Sequence, residues 1–133
     1  MVEFSLAILV FLVLVMGIVD FGMAIYKYNG VSEAAREIAR VASVHQGVTW
    51  GSSQLNTVVA TQKNLVPGLS SPTFSCTKVD GTSQAMSSGG KCPEDAYVTV
   101  EVTAPYRAAT PVLGLIGTFT MKGSSSAQIQ QTQ

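Results

Sequence analysis

Few side chains in this sequence are placed to do chemistry, and the two most unusual are acids. In MVEFSLAILVFLVLVMGIVDFG, Glu3 stands directly before an apolar run over positions 4–19 that only Ser5 and Gly17 interrupt, and Asp20 closes it. A carboxylate near the centre of a bilayer costs about 2.5–3.5 kcal/mol, although the cost is smaller near the edge, where Glu3 falls. Glu3 has two readings. It favours a helix N-terminus through the macrodipole, or it pairs with the α-amino group of Met1 on a neighbouring chain. Breaking a buried pair by removing one partner costs about 3–5 kcal/mol, so such a pair would fix the axial register of packed helices. For Asp20 the expected partner is Lys27 or Arg36 of another subunit, unless it simply marks the lipid–water boundary.

The other candidates are two cysteines and one histidine. Cys76 and Cys92 bracket TKVDGTSQAMSSGGK, a polar, Gly/Ser-rich stretch that reads as a surface loop. With no His or further Cys nearby, zinc ligation is unsupported. A disulfide is expected instead, stabilising by about 3 kcal/mol in the entropic account and implying an oxidising compartment; free thiols in a reducing compartment are the alternative. His45 has no Asp, Glu or Ser constellation around it, and a lone His there reads as a surface residue near a helix end. Trp50, in GVTWGSS, reads as packing at the junction of helix and head. No enzymatic activity and no cofactor are expected.

These residues must be carried by definite elements. The apolar run has no basic residue before it and continues without a break into AIYKYNGVSEAAREIARVASV, which disfavours a signal peptide. It is apolar on every face, unlike the striped core helix of a globular protein, and with Phe21, Met23, Ala24 and Ile25 it approaches the roughly 20 residues of a transmembrane helix. Beyond Asp20 the pattern turns amphipathic, with Val31, Ala34, Ala35, Ile38, Ala39 and Ala42 at helical spacing and Glu33–Arg36 and Glu37–Arg40 as supporting ion pairs. One helix from about residue 2 to 45, roughly 66 Å long, is expected. Gly17, Gly22 and Gly30 within it mark close helix approach or a local bend. Residues 1–25 form the hydrophobic half; residues 26–133 comprise the amphipathic half and a globular head.

In the head, SSQLNTVVATQKNLVPG predicts a short helix whose apolar set is Leu55, Val58, Val59 and Leu65, stopped at Pro-Gly. YVTVEVT alternates, with Val98, Val100 and Val102 on one face. TFTMKGSSSAQIQ keeps that parity through Phe119, Met121, Ala127 and Ile129, with Gly123 and Ser125 suggesting a bend or bulge. PTFSCTKV is a weaker strand, and TPVLGLIG an apolar connection that caps the core or touches a neighbouring subunit. The fold class is α+β: a long apolar-then-amphipathic helix packed on a small antiparallel sheet of three or four strands.

Composition narrows the function further. The 133 residues are 47% hydrophobic and only 12% charged, with zero formal net charge, against about 25% charged in ordinary soluble domains. No basic cluster or aromatic–basic interleaving is present, which argues against a nucleic-acid partner. Lys27, Arg36 and Arg40 all follow the apolar run, so counting positive charges would leave the head in the cytoplasm. A basic leader removed during maturation would reverse that orientation.

The N-terminal segment resembles the signature of TadE-like proteins, pilins and pseudopilins of the tight-adherence branch of type IV filaments. The resemblance is carried by Val2-Glu3-Phe4, by Gly17-Ile18-Val19-Asp20-Phe21-Gly22, and by Asn29 followed by Ala34-Ala35-Arg36-Glu37. The closing stretch VTVEVTAPYRAATPVLG…GTFTMKGSSSAQI is similar to that family's last strands. The resemblance implies a precursor cut by a prepilin peptidase and held in the inner membrane. Assembly machinery then extracts it into an extracellular helical homopolymer serving adhesion or secretion. The family's glutamate falls on Glu3, whereas related pilins carry the acid at the fifth mature position. Such proteins are commonly minor pseudopilins; the alternatives to a self-polymerising pilin are thus a minor pseudopilin or a membrane-anchored accessory or binding subunit.

Overall fold

A computed structural model of the chain describes residues 2–44, 53–86, 92–93, 96–108, 110 and 117–129. His45, Trp50, most of the TPVLGLIG connection and the polar C-terminal tail lie outside the described residues. Helix α1 spans Val2–Val44 without interruption, about 65 Å at 1.5 Å per residue. It passes through Gly17, Gly22 and Gly30 with no melted turn. Helix α2 (Ser53–Leu65) is followed by strands β1 (Thr73–Thr77), β2 (Ser83–Gln84), β3 (Tyr97–Arg107) and β4 (Thr118–Gln128). The strands form one antiparallel sheet in the order β2-β1-β3-β4. The architecture is a pilin-like α+β fold.

Only the second half of α1 enters the core. Val31, Ala34, Ala35, Ile38, Ala39 and Ala42 are buried against Val98, Val100, Val102 and Ala104 of β3. The small alanines let the sheet approach closely. Strand β4 approaches closest: a Cβ built at Gly123 would stand 2.7 Å from the carbonyl oxygen of Val31. Glycine at this position therefore marks neither a bend nor a bulge. The β3–β4 register runs unbroken from Tyr97↔Gln128 to Arg107↔Thr118, and Gly123 is where a strand lies on helix backbone.

Strand β3 continues past its expected end, through Ala104-Pro105-Tyr106-Arg107. Proline is tolerated there because of parity. The N–H and C=O of Thr103 bond Ser70, on the β1 side of the strand, and Pro105 shares that orientation. β1 pairs β3 only as far as Glu101, so the missing N–H of Pro105 faces no ladder partner. Its ring instead backs the turn after α2, where Gly68 sits at φ 83°.

Two further details differ from expectation. Leu65 is 68% exposed, and Val66 takes the inward place. The stripe Leu55, Val58, Val59 continues at Gln62 and then Val66, one residue later than expected. The inter-cysteine segment also contains the short strand β2. Asp80 accepts bonds from the Thr82 amide at 2.9 Å and hydroxyl at 2.6 Å, and Lys78 N–H donates to the Thr82 carbonyl. That turn folds the chain back onto β1.

Candidate functional site

The candidate site is the half of α1 that the head leaves bare, together with the junction where bare helix meets head. Residues of the apolar run are exposed throughout: Phe4 is 75% accessible, and Leu9, Phe11 and Ile18 are all above 60%. The helix is long and apolar enough to cross a membrane. A surface this apolar is not left to water by a stable protein; it is covered by lipid or by other chains.

Glu3 lies in the first turn and is exposed. Met1 lies outside the described residues, so the geometry of an amine pairing is not on view. Asp20 is different. Seventeen residues along the helix, about 26 Å from Glu3, it is only 2% accessible. Its Oδ2 accepts the Thr110 amide at 3.2 Å and, in a short contact, the Thr110 hydroxyl. The Tyr106 hydroxyl donates to the Asp20 main-chain carbonyl at 2.8 Å. Burial first, and the nearby Asp20 charge second, raise the Tyr106 phenol above its ordinary value and keep it a donor. The end of the β3–β4 hairpin is thus pinned onto α1 where the apolar run ends. Asp20 engages its own chain here.

Those two cations are placed differently from each other. Lys27 Nζ donates to the Pro67 carbonyl at 3.1 Å, tying α1 to the chain leaving α2, where free carbonyls favour a cation. Arg36 faces solvent and meets Glu33 at 3.8 Å. Cys76 and Cys92 are bonded, with Cα atoms 5.5 Å apart, and both are buried in the core of the head.

Thr110 and Tyr106 were not singled out in the sequence. The available signal was the pairing of exceptions. A lone acid in an apolar helix and a lone hydroxyl in an apolar connection each need a polar partner if buried.

The family model of TadE-like proteins matches residues 1–40. The N-terminal helix is therefore similar to that of TadE-like proteins over those residues. The matched segment takes in Glu3, the whole apolar run, Asp20, Lys27 and all of the core stripe but Ala42. It ends at Arg40, before the head. Strands β3 and β4 lie outside the matched residues. No curated protein and no solved structure is a significant match to the chain. TadE-like proteins are a pilus-associated structural or accessory family, and the matched segment is the part of the chain that is similar to them.

Proposed function

We propose that this TadE-like chain is a structural pilin subunit. In this reading it resides in the inner membrane by residues 4–19 and is processed by a prepilin peptidase. Assembly machinery then draws it into an extracellular tight-adherence filament. The observation that carries the reading is the bare apolar half of α1, exposed on all faces beside a head whose own core is complete without it. A head-to-tail contact that does not close generates an open helical filament. Bundled at its centre, these helices exclude water while the heads face outward. Transfer from lipid to protein brings packing and paired polar groups rather than further escape from water, so an external motor drives extraction. Glu3 then meets the Met1 amine of a neighbouring chain and sets register.

A membrane-anchored accessory subunit would share the helix and head but would have no use for Glu3. Electron microscopy of filaments sheared from cells, with mass spectrometry of their main band, separates the readings. This chain is expected as the main component, and Glu3→Ala is expected to abolish filaments while leaving the chain in the membrane. Finding it only in trace would make it a minor pseudopilin.

A further inference from the structure

Immediately past Asp20 an open groove of about 700 Å³ lies between α1, the end of α2 and the end of β3. Met23 and Val66 line it with apolar surface, Tyr26 and Leu65 rise beside it at 81% and 68% exposure, and Lys27 and Arg107 also line it. Among the described residues, no carboxylate lies within ion-pair distance of Lys27 or Arg107. Lys27 gives one bond to the Pro67 carbonyl and keeps further donors free. The acid on the groove wall, Glu33, meets Arg36. The groove therefore presents two cations over an apolar floor.

Its position selects the occupant. The groove begins three residues above Asp20, and below it the exposed apolar surface of α1 runs on without a break. A phospholipid whose acyl chains lie along that surface would bring its phosphate to the level of Lys27 and Arg107, with Tyr26 at the depth where tyrosines favour the bilayer interface. We infer that the groove binds the headgroup of an anionic phospholipid while the chain is in the membrane, an inference that rests on membrane residence of residues 4–19. A neighbouring chain offers a rival anion in Glu3. Glu3 lies 24 residues from Lys27 along the helix, so it reaches these cations only after a relative shift of about 36 Å. In the membrane, lipid is the anion at hand.

The test uses the full chain in detergent micelles and native mass spectrometry. Phosphatidylglycerol, phosphatidylcholine of the same acyl chains, and inorganic phosphate are titrated separately. Retention of phosphatidylglycerol over phosphatidylcholine is expected, with inorganic phosphate not retained. Lys27→Gln/Arg107→Gln should weaken phosphatidylglycerol retention roughly thirtyfold. Arg107→Gln alone, which removes no side-chain hydrogen bond or ion pair among the described residues, should weaken it about fivefold, and Arg36→Gln should leave it unchanged. Equal retention of the two lipids, no loss in Arg107→Gln, or phosphate bound as well as the lipid would overturn the inference. So would a disulfide between Glu3→Cys and Arg107→Cys in sheared filaments combined with no lipid preference, an outcome that assigns the groove to a second copy. Membrane residence is read separately by alkaline carbonate extraction. Release of the chain there would sink the anchoring claim itself, whatever the lipid titration shows.

Discussion

At the scale of single residues, Asp20 and its two partners distinguish this helix from a plain membrane anchor. The carboxylate satisfies two donors of Thr110, and burial would be costly without them. Asp20→Ala leaves those donors without an acceptor and is expected to cost about 1.5–3 kcal/mol. Urea denaturation of the detergent-solubilised chain, followed by circular dichroism, checks this. Tyr106 supplies a pH signature. Its folded pKa is raised, so its contribution to stability is complete below the ordinary tyrosine value near 10. The contribution is lost as pH rises through the folded value. In an ultraviolet titration, a component above the ordinary tyrosine value is expected to vanish in Tyr106→Phe; an unchanged profile would remove Tyr106 from the pin. Asp20 was conspicuous in the sequence because an acid interrupts oil. Its partner was not, since Thr110 is 90 residues away and nothing local marks which hydroxyl the folded hairpin delivers to it.

Among elements, the decisive contact is β4 against α1. Gly123→Ala would place a methyl 2.7 Å from the Val31 carbonyl oxygen. Neither backbone can yield easily, so a loss of about 1–3 kcal/mol is expected in the same denaturation assay. Gly17→Ala is the contrast. Nothing lies within 4 Å of a Cβ there, and the isolated chain should gain about 1 kcal/mol of helix stability. If filament formation falls in Gly17→Ala while stability rises, that face of α1 packs against another chain. The elements themselves were largely legible. Strict alternation gave β3 and β4, and the shift from all-round apolar to striped gave the two halves of α1. What eluded local reading was tertiary. Gly123 looked like a weak point in a strand because its helix neighbour is distant in sequence. Leu65 looked inward because α2's stripe shifts by one residue at its last turn. β2 depends on a turn made by Asp80 and Thr82 inside a stretch whose composition reads only as loop.

The whole molecule divides its labour between helix and head. The head is self-sufficient, closed by the Cys76–Cys92 bond and by a core that uses only the second half of α1. The apolar run over residues 4–19 contributes nothing to that core, so it can pass from lipid to a filament interior while Asp20 keeps the hairpin pinned to the helix. Reduction of the disulfide should accordingly lower head stability by about 3 kcal/mol while leaving membrane insertion intact. The change along α1 from all-round apolar to striped was readable in the sequence; the hairpin pin where that change falls was not, because it requires the sheet to reach back along the helix as far as Asp20. The most direct measurement of the central claim is cysteine crosslinking within sheared filaments. The described native cysteines are bonded to each other, so a single Val13→Cys places one reactive thiol midway along the bare half. Oxidised filaments should yield covalent dimers of this chain joined at residue 13, absent from the membrane-resident pool. Filaments built of this chain in which Val13→Cys stays accessible to a water-soluble maleimide, with no crosslinked species, would contradict the account.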